Sequence, residues 1–171
     1  MGYYVNGTGH LVIRAANLDN AYEALMKLQD APDNAKRGGL YSGGKHVARW
    51  FSWMPEDLRT LPDAKAVFEA LGFETMTNES GDLVISCYDN KTGQEEVFFA
   101  AAAMFIEDGE YEWQGEDGES WLWEFSEGRM YVRHGRVEYG GREELSVGAW
   151  LAEQAAFTKS VEASFAERAN G

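Results

Sequence analysis

The chain has 171 residues, a formal net charge of −14, 44% hydrophobic residues and 13% aromatic residues. This composition is typical of a folded protein and excludes a disordered one. The length favours a single domain over residues 1–171. The longest apolar run, residues 97–106, is too short to span a bilayer, so we expect no membrane partner. Cys87 is the one cysteine, which excludes an internal disulfide and favours a cytoplasmic location.

The negative charge is concentrated in one region of the sequence. Residues 1–60 carry seven Lys/Arg and six Asp/Glu (7 − 6 = +1), and residues 61–128 carry two and seventeen (2 − 17 = −15). Residues 129–171 carry six of each and are neutral. An acidic block of this kind can be an interaction face. Free duplex DNA is not an expected partner, because its phosphates are bound by basic surfaces.

The first elements predicted along the chain are a strand and a helix. Residues 3–5 lead into a Gly-rich turn at residues 6–9, and a strand follows at residues 10–14. Apolar residues then recur at helical spacing, which predicts an amphipathic helix over residues 18–29. Asn17 is the predicted N-cap of this helix, because its side-chain oxygen can accept from a first-turn amide.

A polar segment separates this helix from the next one. Residues 30–49 are rich in glycine and are predicted to form a loop, and residues 50–54, WFSWM, are too aromatic to remain fully in water. A second helix is predicted to begin at a Thr60 cap and to end at Leu71. Gly72 then supplies the left-handed residue after its last turn.

Period-two patterning predicts a β-hairpin over residues 73–89. Its turn falls at residues 79–82, and Leu83, Ile85 and Cys87 lie on one face of its second strand. No signature of a catalytic nucleophile surrounds Cys87, so we expect a buried, small apolar residue at that position.

The remaining pattern contains a helix, three strands and a final helix. A largely buried helix is predicted over residues 94–106, a three-strand meander over residues 110–139 and a long helix over residues 142–168. Strands that pair in hairpins, with helices between them, predict an α+β fold. Its mainly antiparallel sheet, built from the hairpin and the meander, would be covered by helices on one face.

The central strand of the meander carries aromatic residues at alternate positions. Trp121, Trp123 and Phe125 share one face by strand alternation, and we expect this face to pack on the helices. The alternative is a stacking surface for a base or for a partner side chain.

The segment GLYSGGKH at residues 39–46 is close to the phosphate-binding pattern G-x-x-x-x-G-K-[ST]. His46 stands where that pattern needs Ser or Thr for magnesium, and no strand precedes the segment, so a nucleotide-hydrolysing loop is excluded. Glycine amides and clustered cations still suit a small anion. The predicted ligand-binding residues are Lys36, Arg37, Tyr41, Lys45, His46, Arg49, Trp50 and Trp53, with Arg129 and Arg133 from the last strand.

Both groups of basic residues, the one around Lys45 and the pair Arg129 and Arg133, also have an interpretation without ligand binding. The segment around Lys45 is otherwise a solvated loop, and Arg129 and Arg133 otherwise neutralise the acidic strand beside them. The histidines, His10, His46 and His134, lack metal-ligand spacing, so no metal and no cofactor are expected. Paired acidic residues could flank a glycosidic bond, but no spacing forces such a site, and we expect binding rather than catalysis.

Three segments carry a resemblance to a known group of proteins. MGYYVNGTG, WFSWM and YEWQGEDGESWLWEF resemble segments of small uncharacterised accessory proteins encoded by bacteriophages and prophages. The resemblance implies an accessory product that acts in the bacterial cytosol on the host or its defences, and it transfers no site residues. In that context we expect a non-enzymatic protein that sequesters a small, nucleotide-like anionic signal.

The alternative function is a protein–protein inhibitor. Its acidic region, residues 61–128, would imitate nucleic acid or dock on a basic surface of a host or defence protein. A symmetric homo-oligomer is a further expectation, formed through apolar residues of the C-terminal helix.

Overall fold

The computed structural model of the protein describes residues 3–135 and residue 159. The strands of this part are β1 (Tyr4–Ile13), β2 (Gly38–Ser42), β3 (Lys45–Arg49), β4 (Phe73–Thr77), β5 (Leu83–Lys91), β6 (Gly109–Gly115), β7 (Ser120–Ser126) and β8 (Arg129–His134). The α-helices described there are α1 (Leu18–Met26), α2 (Ala64–Leu71) and α3 (Glu95–Ala102). Short 3₁₀ turns lie at Ala15–Asn17, Lys27–Asp30, Asp33–Ala35, Leu58–Thr60 and Ala103–Phe105.

Six of the described strands form an antiparallel sheet in the order β4-β5-β1-β6-β7-β8, while β2 and β3 form a separate two-stranded ribbon. The prediction of an α+β fold with a mainly antiparallel sheet is therefore confirmed. The predicted C-terminal helix over residues 142–168 lies almost wholly outside the described residues. No helix in the described part is long and apolar enough to cross a membrane.

Strand β1 lies at the centre of the sheet, where it pairs with both β5 and β6. The prediction of a turn at residues 6–9 is wrong, since β1 is continuous through them. A Cβ atom at Gly7 would lie 2.6 Å from Cε1 of Tyr111 and 3.0 Å from the ring of Trp113. Glycine is thus required there so that aromatic rings can lie against the backbone.

The core lies between one face of the sheet and the helices. Phe99 of α3 is at its centre, with ring centroids of Phe73, Tyr111 and Trp123 at 4.9, 6.4 and 5.1 Å. Phe125 of β7 is also buried. The predicted core face of the meander is therefore confirmed for Trp123 and Phe125, whereas Trp121 is only half-buried. Burial of this many large rings is the main stabilising term that the sequence supplies.

The ribbon of β2 and β3 corrects the prediction that residues 30–49 form only a loop. Its turn consists of Gly43 and Gly44, with φ values of 58° and 78°. Two successive residues with positive φ are what a tight type I′ hairpin turn requires, and glycine adopts them without strain. The glycine pair therefore makes a hairpin in a segment whose polarity resembles that of a loop.

The helix caps differ from the predicted ones. Asp63, rather than Thr60, caps α2, with the Ala66 amide donating to Asp63 Oδ1 at 2.7 Å. Gly72 ends α2 with a φ of 112°, which confirms the predicted left-handed residue. Asn17 precedes α1, but its side chain makes no capping hydrogen bond.

Cys87 is exposed, so the prediction of a buried cysteine is wrong. The pairing of β4 with β5 shifts register between Phe73 and Thr75. This bulge changes the phase of side-chain alternation, so that Ile85 and then Tyr88 point into the core, with 0% and 2% of their surface exposed.

Candidate functional site

The structure distributes the predicted ligand-binding residues over different places. Arg37, Trp50 and Trp53 line one cleft, which we call the Arg37 cleft. Lys36 and His46 line a second cavity. The remaining five, Tyr41, Lys45, Arg49, Arg129 and Arg133, line neither of these. The predicted cluster is thus divided, and the Arg37 cleft retains the largest share of it.

The Arg37 cleft has a volume of about 390 Å³. It lies where the start of β2, the aromatic segment after β3 and the loop between β5 and α3 meet. Its lining residues are Arg37, Gly38, Trp50, Phe51, Ser52, Trp53, Lys91, Thr92, Gly93 and Gln94.

Two glycines allow the walls of the cleft to approach one another. A Cβ atom at Gly38 would lie 2.6 Å from the carbonyl oxygen of Trp50. At Gly93 a Cβ atom would collide with the ring of Phe51. Neither glycine has a positive φ, so the reason for glycine at both positions is space.

Gln94, which directly precedes α3, holds the start of the ribbon against the N-terminus of that helix. Its Oε1 accepts from the backbone amide of Arg37 at 2.6 Å, and its Nε2 donates to the carbonyl of Ala35 at 2.9 Å. The side chain is almost completely buried. Both ends of the amide are therefore satisfied, which fixes its orientation and the position of Arg37.

A buried carboxylate shapes the other wall of the cleft. Glu95 is 1% exposed and accepts from the Gly93 amide at 2.8 Å and from the Thr92 hydroxyl at 3.1 Å. These bonds hold the loop that connects β5 with α3 in one conformation. They also occupy the N-terminal turn of α3 with the protein's own negative charge.

Two cations and an indole are available in the cleft. Arg37 is exposed, and within the described residues neither Arg37 nor Lys91 forms an ion pair. The Lys91 ammonium lies 5.4 Å from the centroid of the Tyr4 ring, which favours this position by cation–π attraction. Trp53 is 43% exposed, and its ring centroid lies 4.9 Å from that of Phe51.

Sequence reasoning missed Lys91. A signal was present, because Lys91 is one of only two cations in residues 61–128. It also directly precedes Thr92 and Gly93, in a segment with the composition of a turn. Only the pairing of Tyr4 with Lys91 and the position of the loop bring it to the same cleft as Arg37.

The side chains of Lys36 and Arg49 bind neighbouring groups of the protein and are therefore not available to bind a ligand. Lys36 is 8% exposed along its side chain, and its ammonium donates to the carbonyl of Gln29 at 3.2 Å. Arg49 donates to the carbonyl of Met54 at 3.2 Å and lies 3.7 Å from Glu56. Both side chains therefore tie the ribbon to its neighbouring loops.

The second cavity, which holds Lys36 and His46, is acidic as well as basic. It has a volume of about 260 Å³, and its lining includes the carboxylates of Asp33 and Glu56. The ring of Tyr41 lies 5.6 Å from that of His46 in an edge-on arrangement. Mixed charge of this kind is a weaker match to an anion than the Arg37 cleft.

The other predicted cations lie on exposed strands. Lys45 is exposed next to the glycine turn, and Arg129 is exposed at the start of β8. Arg133 lines a cavity of about 370 Å³ together with Trp121. It also forms an ion pair with Glu124 of β7 at 3.3 Å, and Glu112 lines the same cavity. The neutralising role of Arg133 is therefore favoured over anion binding.

No group of three or more His, Cys, Asp or Glu side chains in the described part of the chain has a geometry that could hold a metal ion. Comparison of the chain with protein-family models, with curated proteins and with solved structures found no match.

Proposed function

We propose that the protein binds a small anion that carries a planar group, of nucleotide-like chemistry, in the Arg37 cleft. The observation that supports this proposal is that two cations, Arg37 and Lys91, line the same cleft as an accessible indole, Trp53. In a chain of net charge −14, a local site of this kind supplies the positive potential that the whole molecule does not.

The chemistry of each group suits one part of such a ligand. A guanidinium binds phosphate through paired N–H donors, and an ammonium adds a second charge-assisted bond. Stacking of a base on an aromatic side chain contributes roughly 1–3 kcal/mol. Arg37 and Lys91 would hold the anionic group, and Trp53 would stack on the planar one.

The lining of the cleft favours sequestration over catalysis. Ser52 and Thr92 supply hydroxyls, but the described lining residues include no carboxylate or imidazole, the usual general bases that activate a hydroxyl as a nucleophile. The protein would therefore act by lowering the free concentration of its ligand.

Calorimetric titration with mono-, tri- and cyclic nucleotides tests the binding proposal. Arg37→Ala and Lys91→Ala should each weaken binding about tenfold or more, since each removes a charge-assisted bond. Lys45→Ala is the matched control, because it removes an exposed cation outside the cleft. The proposal is wrong if no nucleotide binds, or if the three variants bind equally well.

The biological context is a further part of the proposal and rests on the resemblance alone. A phage accessory protein that removes a nucleotide signal should restore phage growth when it is expressed in bacteria with a nucleotide-signalled defence. Plaque counts test this, and the Arg37→Ala, Lys91→Ala double variant should not restore growth. Equal plaque counts with and without the chain would count against this role.

The second candidate function, docking on a basic partner, is favoured by the outer face of the sheet. Glu110 of β6 is directly opposite Glu124 of β7, and Glu112 lies exposed on the same strand. Like charges in register are unfavourable. Arg133 already pairs with Glu124, so a basic partner would mainly neutralise Glu110 and Glu112. A pull-down that is insensitive to charge reversal at Glu110 and Glu112 would argue against this function.

A further inference from the structure

A second aromatic cavity lies on the other side of the loop that carries Thr92 and Gly93. Its volume is about 320 Å³, and we call it the tryptophan cavity. Its lining residues are Thr92, Gly93, Glu96, Trp113, Glu119, Trp121, Trp123, Val132 and His134. None of the anion-binding residues proposed above lines it.

The aromatic wall of this cavity is an ordered array of indoles. Trp121 and Trp113 are parallel within 6°, with centroids 5.8 Å apart. Trp123 inclines to Trp113 at 59° with a centroid distance of 4.6 Å. Trp113 and Trp123 are buried, whereas Trp121 is half-buried. Trp121 therefore presents the accessible indole, and the two others hold it in place.

The polar part of the lining has the opposite charge to that of the Arg37 cleft. Glu96 and Glu119 are carboxylates, His134 is the histidine of the lining, and neither lysine nor arginine occurs among the described lining residues. Indole faces carry negative electrostatic potential and attract cations. Carboxylates at the same cavity strengthen that attraction and repel anions.

From this geometry we infer that the tryptophan cavity is a binding site for a small organic cation of the quaternary ammonium class. A methylated ammonium presents a weakly hydrated, apolar surface that still carries a full charge. Aromatic walls with nearby carboxylates are the surroundings that such a group prefers. A metal ion would need several oxygen or nitrogen ligands in close geometry, and the described residues offer no such group.

Titration with choline and with its neutral isostere, 3,3-dimethylbutan-1-ol, tests the inference. Both molecules fill the same volume, so a difference between them measures the contribution of charge. Tryptophan fluorescence should report binding, because Trp121 lines the cavity. We expect choline and tetramethylammonium to bind, and the alcohol to bind roughly tenfold more weakly.

Variants separate the site from general effects of charge. Glu119→Gln should weaken choline binding several-fold, whereas Glu116→Gln, on the same turn but outside the cavity, should leave it unchanged. Trp121→Phe should retain weakened binding, and Trp121→Ala should abolish it. If Trp121→Ala does not fold, as judged by circular dichroism, the comparison of Glu119→Gln with Glu116→Gln still tests whether the cavity binds choline.

Two outcomes would overturn the inference. One is the absence of a fluorescence or calorimetric response to both choline and tetramethylammonium. The other is equal affinity for choline and the neutral alcohol, which would mean an apolar pocket without selectivity for charge. Arg37→Ala should leave choline binding unchanged, so this inference and the proposed nucleotide site can fail separately.

Discussion

The hydroxyl of Tyr88 donates a hydrogen bond of 2.7 Å to Oε1 of Glu95, and both side chains are almost completely buried. Burial raises the pKa of the Tyr88 phenol, and the nearby Glu95 carboxylate raises it further. The phenol therefore remains a donor, and Glu95 links the end of β5 to the start of α3.

Glu95→Ala should lower the free energy of unfolding by about 2–3 kcal/mol, because hydrogen bonds to a buried charged group contribute that much. It would leave the Gly93 amide and the Thr92 hydroxyl without their acceptor, whereas the Tyr88 hydroxyl could still donate to the Lys91 carbonyl at 2.7 Å. Urea unfolding measures the change. Glu96→Gln, on the next residue, is the control and should change stability by no more than about 0.5 kcal/mol. Equal effects of the two variants would contradict the structural role of Glu95.

Gly7→Ala should destabilise the protein by about 1–3 kcal/mol, the usual cost of overpacking a core. The new Cβ would collide with the rings of Tyr111 and Trp113, which are fixed by their neighbours. Gly109→Ala is the matched control, because its nearest heavy atom would be 3.4 Å away and its φ is not positive. Thermal unfolding of both variants checks the expectation, and it is wrong if Gly7→Ala melts at the temperature of Gly109→Ala.

Asp82 should give stability a dependence on acid pH. Its carboxylate accepts from the Ala15 amide at 2.9 Å and from the Asn78 side chain at 3.1 Å. These bonds, and then the attraction of Arg14, hold its pKa below the ordinary value of 3.8. The folded state thus favours the charged form of Asp82. The stabilisation that this carboxylate contributes is complete above pH 3.8 and is lost as pH falls through the lower pKa of the folded protein.

The variant Asp82→Asn isolates this contribution. It should be less stable than the parent protein near neutral pH, and the difference should shrink as pH falls below 3.8. Urea midpoints at several pH values measure both quantities. A difference that is constant with pH would show that the charge of Asp82 has no part in it.

Lys36 and Arg37 are adjacent but should have separable effects. Lys36→Ala should reduce stability, because the Lys36 ammonium donates to the Gln29 carbonyl from a nearly buried position, and it should leave nucleotide affinity within about twofold. Arg37→Ala should weaken nucleotide binding and leave stability nearly unchanged, since Gln94 holds the backbone of Arg37 and not its side chain. Paired measurements of melting temperature and nucleotide affinity decide, and a loss of affinity in Lys36→Ala would contradict the assignment.

Side-chain alternation was a sufficient guide to the meander, because Trp123 and Phe125 follow the period of a regular strand. It was not sufficient for β1 or β5. At Gly7 the reason for glycine is the ring of Tyr111, which is distant in sequence, and at Cys87 a bulge reverses the alternation. Features of this kind depend on partners that local patterns do not contain.

The candidate site was predictable only in part for the same reason. The density of cations around residue 37 was visible in the sequence, but a list of cations does not show which of them have structural partners. Lys36 and Arg49 are occupied by backbone carbonyls, and Lys91 comes from the end of another strand. Burial and hydrogen bonding separate these roles, and both are properties of the folded chain.

The Gln94 side chain has a consequence for the evolution of this molecule. Its amide offers one acceptor to Arg37 and one donor to Ala35, which is how a peptide group bonds within a β-ladder. A single side chain thus replaces a neighbouring strand at the point where the ribbon leaves the core. Residues beyond that junction, around Gly43 and Gly44, are free to change in length and composition without disturbing the sheet. The tip of the ribbon can therefore vary without loss of the sheet or of the Arg37 cleft, which lies at the other end of the ribbon.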